Sequence, residues 1–171
     1  PANLEPQRWA CDRKAMVCQA KVLMIGDSVT EGVSDTLREH FPNATIDGAV
    51  SRQFDQGVQI LRDDLARGMD PQVIVFALGT NGPVSEQMAQ QVIDLAGGRP
   101  LYFATTRAPV DWVPGNNATF IGMAERNPNV GIIDWSGTSQ GRDDYLYDDG
   151  IHPNQLGMQA YLQMFLNAFC A

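Results

Sequence analysis

Five short apolar runs, each followed by a stretch with helical patterning, constrain this chain's fold more than any other feature. The runs are Lys21 to Ile25, Ala44 to Ile46, Val73 to Leu78, 101–105 and 130–134. Between and after them, helices are predicted over about 31–40, 54–67, 85–96, 116–127 and 155–168. In the second of these the apolar residues fall at 54, 58, 61 and 65, the spacing of one helix face. A strand that is apolar at every position buries both of its faces, so its sheet must be covered on both sides. Helix-length crossovers between such strands make them parallel. The expected fold is a three-layer α/β/α sandwich around a five-stranded parallel sheet. It forms one domain over residues 21–171, preceded by an irregular tether over residues 1–20.

Charge and length remove several classes of function. A net charge of −8 disfavours nucleic acid and anionic membrane surfaces, because phosphate binding needs clustered Lys and Arg. The longest apolar run, Val73 to Leu78, is far short of the roughly 20 residues that span a bilayer. The sequence has no signal peptide and opens at Pro1 without Met, as expected of a piece of a longer precursor. Cys11, Cys18 and Cys170 form no CxxC pair and no Cys/His cluster, so neither a zinc site nor a cofactor is expected. Their spacing is compatible with a disulfide stapling one end of the domain, and equally with three free thiols.

In open parallel sheets, ligands bind at the carboxyl ends of the strands. Four motifs fall there: Gly26-Asp27-Ser28, Gly48 to Gln53, Gly79-Thr80-Asn81-Gly82, and Asp149 to His152 ahead of the last helix. Of the two histidines, His40 ends an early helix, where the role of a histidine is to complement the helix dipole. His152 stands three residues after Asp149, with Gly150 between them to turn the chain. An imidazole so oriented can take a proton from a hydroxyl. Ser28, at a strand-to-helix turn, supplies such a hydroxyl, with backbone N–H groups positioned to bind an oxyanion. Each residue also has a plainer reading. Ser28-Val29-Thr30-Glu31 fits a helix-capping box, Asn81-Gly82 fits a turn, and Asp149-Gly150 fits a surface turn.

Taken in order, Gly26-Asp27-Ser28-Val29, Gly79-Thr80-Asn81-Gly82 and Asp149-Gly150-Ile151-His152 resemble the first, third and fifth blocks of the SGNH, or GDSL-type, hydrolases. A narrower resemblance lies in Asn43 to Gln53, Leu78 to Gly82, Arg107-Ala108-Pro109 and Asn129 to Trp135. These segments are similar to the extracytoplasmic catalytic domain of peptidoglycan O-acetyltransferases. The resemblance implies a flavodoxin-like fold and a catalytic Ser28, His152 and Asp149. It also implies an oxyanion hole made by the amides of Ser28 and Arg52 and the side chain of Asn81. Arg52 stands where the superfamily has a glycine, so its side chain is expected to narrow or charge the cleft, and Gly82 replaces an aspartate. Arg107 and Trp135 are candidate rim residues for a glycan, with a surface cation and a packed aromatic as their plainer readings. The same resemblance implies an acetyl donor, a peptidoglycan acceptor modified at the C6 hydroxyl of muramoyl residues, and a multi-span membrane domain upstream. The domain would then be a monomer tethered at the outer face of the membrane. Two other readings stand beside this one: an esterase of the same fold acting on carbohydrate or lipid, and a non-enzymatic flavodoxin-like module. Against the module, the chain lacks G-x-G-x-x-G and Walker loops.

Overall fold

All five apolar runs are strands in the computed structural model, which describes residue 4 and residues 9–170. A short hairpin, β1 (Cys11–Asp12) and β2 (Val17–Cys18), precedes the main sheet. The sheet strands are β3 (Val22–Gly26), β4 (Thr45–Gly48), β5 (Val73–Ala77), β6 (Leu101–Ala104) and β7 (Val130–Ile133). They lie in the order β4-β3-β5-β6-β7, and every neighbouring pair is parallel. The helices are α1 (Ser28–His40), α2 (Phe54–Ala66), α3 (Glu86–Ala96), α4 (Val113–Arg126), the short α5 (Trp135–Thr138) and α6 (Gln155–Phe169). Among the described residues no helix is long and apolar enough to cross a membrane.

Apart from the edge strand β4, where only Ile46 is buried, the strands read as apolar runs because each feeds two cores. Val22 and Met24 of β3, with Val73 and Val75 of β5, face a core shared with Val33 and Leu37 of α1 and Phe165 of α6. Leu23, Ile25, Ile74 and Phe76 face the opposite core, with Val58 of α2, Val92 of α3 and Phe120 of α4. There Phe120 stacks on Phe103 at 5.0 Å and on Phe54 at 6.1 Å. The order of strands reverses between β3 and β5, so the loops leaving their carboxyl ends diverge and open a crevice.

The N-terminal segment differs from expectation. Residues 9–20 are a hairpin rather than an irregular tether, and Trp9, Cys18 and Ala20 are buried in the core under α1 and α6. Cys11 is joined to Cys18 by a disulfide, Cys170 is a buried free cysteine, and the three sulfurs lie within 4.8 Å of one another. His40 Nδ1 meets the Met16 carbonyl at 2.7 Å and fastens the end of α1 to this hairpin. Strands of two residues are too short to carry a period, which is why the sequence conceals them. Residues 1–3 and 5–8 of the expected tether lie outside the described residues. The short α5 is likewise unforeseen, for the same reason of length.

Candidate active site

Strand β3 ends at Gly26, where the turn into α1 leaves no room for a side chain. A Cβ there would sit 1.8 Å from Thr30 Oγ1. Asp27 is the N-cap, and its Oδ1 accepts the Val29 amide at 3.0 Å. The helix therefore begins at Ser28, not Glu31, and Asp27 does the work that the capping-box reading gave to Ser28. The Ser28 hydroxyl is left to meet His152 Nε2 at 2.8 Å. Its amide is one of the orphan donors of the helix N-terminus.

His152 sits on the loop before α6. Asn154, which caps α6, donates to the carbonyls of Asp144 (2.7 Å) and Leu146 (3.2 Å) and pins that loop from behind. Gly150 has φ +70, a conformation suited to glycine, and turns Asp149 back on the histidine. Asp149 Oδ2 lies 2.6 Å from His152 Nδ1, while Oδ1 accepts the amides of Ile151 (2.8 Å) and His152 (3.0 Å). An ionised carboxylate can only accept, so Nδ1 carries the proton and Nε2 offers its lone pair to Ser28. The His152 side chain, then its amide and that of Ile151, hold the Asp149 carboxyl down from 3.8 to about 2. The side chains of His152 and Asp149 remain 37% and 43% exposed, so the relay opens to solvent.

Asn81 and residue 52 are adjacent. Asn81 Nδ2 donates to the Arg52 carbonyl at 3.2 Å, and Gln53 Nε2 donates to the Asn81 carbonyl at 2.9 Å. The Arg52 amide closes a turn on the Ala49 carbonyl through a long 3.4 Å bond, with Ser51 at φ +61. The expectation that the Arg52 side chain narrows or charges the cleft does not hold. Its guanidinium turns inward and donates to the carbonyls of Gly26 (3.1 Å) and Asp47 (2.9 Å) and to Asp47 Oδ1 (2.9 Å). Three acceptors gathered from two strand ends outweigh solvation of a side chain that is 12% exposed.

Neither proposed rim residue is free for a glycan. Arg107 donates to the Ser139 carbonyl and pairs with Asp143, locking the segment after β6 to the one after α5. Trp135 is buried, with its ring 6.2 Å from Tyr145 and 5.0 Å from Tyr161. The sequence reading missed Asn116 and Asn117, which hold two of the loops. Asn116 donates to the Gly79 and Gly82 carbonyls at 2.8 Å and accepts the Val84 amide at 2.7 Å. Asn117 accepts the Thr106 amide and donates to its carbonyl, both at 2.9 Å. Two adjacent asparagines inside a helix, where that residue is a poor former, were the available signal.

A hydroxyl on an imidazole, an imidazole on a carboxylate, and N–H donors nearby make a constellation suited to acyl transfer through serine. No family model matches the chain. It is 33% identical over 155 residues to the peptidoglycan O-acetyltransferase OatA of Listeria monocytogenes, covering 91% of this chain and 24% of that protein. It is 31% identical over 156 residues to O-acetyltransferase OatA of Staphylococcus aureus, covering 90% of this chain and 26% of the relative. The chain thus spans about a quarter of the length of the curated relatives it matches. Among solved structures, the C-terminal catalytic domain of Streptococcus pneumoniae peptidoglycan O-acetyltransferase A, with a methylsulfonyl adduct, superposes with a TM-score of 0.75. That match has 20% identity and covers 88% of this chain and 92% of the other. A lipolytic protein of the G-D-S-L family from Veillonella parvula superposes at 0.73, with 18% identity and coverage of 86% and 97%. By sequence the chain is therefore similar to one segment of these O-acetyltransferases, and its fold is that of the Streptococcus pneumoniae C-terminal catalytic domain and of the SGNH, or GDSL, hydrolases.

Proposed function

We propose that this chain is an O-acetyltransferase domain, with esterase activity, in which Ser28 is the nucleophile, His152 its base and Asp149 the orienting carboxylate. The observation that carries the reading is the relay of 2.8 Å from Ser28 Oγ to His152 Nε2 and 2.6 Å from His152 Nδ1 to Asp149. Ser28 Oγ attacks the carbonyl carbon of an acetyl ester while its proton passes to Nε2. The oxyanion is bound by the Ser28 amide and Asn81 Nδ2, joined by the Arg52 amide as that amide gives up its long bond to Ala49. Collapse expels the donor alcohol, which takes the proton from His152, and leaves acetyl-serine. The C6 hydroxyl of a muramoyl residue then attacks, losing its proton to His152, and the second collapse returns that proton to Ser28 Oγ. Water in place of the sugar releases acetate, which is the esterase reaction. In a longer protein the domain would work outside the membrane, tethered by a multi-span acyltransferase domain upstream.

Turnover of an activated acetyl ester, with and without a chitooligosaccharide acceptor, tests the assignment. Acetylated sugar is the expected product, and acetate release indifferent to acceptor would make the domain an esterase. Ser28→Ala and His152→Ala should each lower kcat by about 10³-fold or more. Asp149→Ala should lower it less, because solvent reaches that end of the relay. Half the wild-type rate in Ser28→Ala would end the serine reading.

A further inference from the structure

A narrow cavity of about 10 Å³ lies against the nucleophile turn, lined by Asp27, Thr30, Ala77, Ala104, Trp135 and Tyr161 among others. That is about the room one water centre needs. Three polar atoms of residues that line it, Asp27 Oδ2, Thr30 Oγ1 and Trp135 Nε1, are buried and have no hydrogen-bond partner among the described residues. Their residues are 1%, 0% and 2% exposed. A buried polar group left without a hydrogen bond destabilises a fold, so three on one cavity call for a shared guest.

The chemistry of the three atoms identifies that guest. An indole N–H only donates, so the guest must accept; a carboxylate only accepts, so the guest must donate; a threonine hydroxyl does either. Ammonium has no lone pair to offer the indole, and a halide has no proton to offer Asp27. Water meets both demands at the right size. We propose that this cavity is the binding site of one resident water bridging Asp27 Oδ2, Thr30 Oγ1 and Trp135 Nε1, and that Asp27, so held, is a positioning residue for the reaction.

With Oδ1 on the Val29 amide and Oδ2 on the water, the carboxylate is fixed one residue from the nucleophile. Burial raises its pKa, against which work the Val29 amide, the nearby Thr80 side chain, which makes no hydrogen bond to Oδ2, and the charge of His152. Four other charged or titratable groups bear on this site. His152 faces it across the Ser28 turn, Tyr161 from α6 and Arg107 from the segment after β6, and Asp149 acts through His152. Set among them, a negative Asp27 favours the imidazolium that forms when Ser28 gives up its proton.

Crystals of the wild-type protein diffracting to about 1.5 Å should show one ordered peak within about 2.6–3.2 Å of all three atoms. A dry cavity, or a guest that is not water, overturns the site. Asp27→Asn keeps the volume and removes the charge. Its acid limb of kcat/KM towards a small acetyl ester should move to lower pH, whereas a purely structural role would lower kcat and leave the limb in place. An unmoved limb overturns the positioning role. Asp27→Ser, which keeps a capping oxygen, serves the same comparison should the asparagine variant not fold. The catalytic half rests on the Ser28–His152 reading, and the two fail differently. Activity surviving in Ser28→Ala defeats that reading, while occupancy of the cavity is seen by diffraction without turnover.

Discussion

At the scale of single residues, neighbouring side chains of the crevice act differently according to what surrounds them. Asn81 offers its amide at the crevice, where it holds the Arg52 carbonyl at 3.2 Å. If that amide turns to the oxyanion during reaction, Asn81→Ala should lower kcat by about 10²–10³-fold with KM little changed, as steady-state kinetics on a small ester would show. Arg52 braces the same crevice from within. Removing its three bonds should lower stability by about 1–3 kcal/mol and slow small-ester and glycan reactions in the same proportion. A loss confined to the glycan reaction would instead place the guanidinium on the acceptor. With a carboxyl depressed to about 2, Asp149 stays ionised through moderate acid, and what it contributes to the loop is lost only as pH falls from the usual carboxylate value towards 2. If His152 is the base, activity should fall at acid pH while Asp149 is still ionised, and the loss should reverse on neutralisation. A profile flat down to about pH 4 would point to a carboxylate base.

At the scale of elements, the crevice is positioned by helices that contribute no reacting atom. Helix α4 carries Asn116, whose three hydrogen bonds fix the loop holding Asn81. Asn116→Ala leaves two carbonyls and one amide without their partner. Chemical unfolding should report a loss of about 2–4 kcal/mol, and kcat should fall with it as Asn81 is displaced. A variant that loses stability but keeps kcat would show that the loop holds its shape unaided. Helix α6 acts through its cap, since Asn154 ties the segment at Asp144 and Leu146 just upstream of Asp149 and His152. Helix starts were the least legible feature at this scale. Ser28 and Val113 each lie three residues before the predicted beginning, because the first turn is set by caps and by Pro114 rather than by apolar period.

At the scale of the whole molecule, the N-terminal hairpin and the end of α6 meet at one place. The hairpin, the end of α1 and the end of α6 share a core through Trp9, Phe41 and Phe169, whose rings pack edge to face at 5.4–5.8 Å. The Cys11–Cys18 bridge closes a loop with a sequence separation of 7, for which the chain-entropy estimate is about 2.5 kcal/mol. Reduction should then lower the melting temperature by roughly 5–10 °C in a chain of this size, and peptide mapping should recover the Cys11–Cys18 pair. Cys170 is 3% exposed, and burial raises its thiol pKa, so alkylation there should wait for unfolding. Labelling of the folded protein at Cys170 would mean that this end opens on its own.

The sequence by itself determined the class of fold and which segments end at the crevice. Short apolar runs alternating with helix-length segments are best buried as strands covered on both faces, and helical crossovers make them parallel, so Ser28, Asn81 and the 149–152 turn converge on one edge. Only the tertiary structure decided where side chains without a local period would point. Arg52 finds its acceptors at Gly26 and Asp47, Arg107 finds its own at Ser139 and Asp143, and Trp135 finds its place between Tyr145 and Tyr161. A guanidinium or an indole goes where acceptors and rings from other segments happen to lie, and no window of sequence around it contains them. The same holds for the three sulfurs, separated by up to the length of the domain and brought within 4.8 Å by the packing of its two ends.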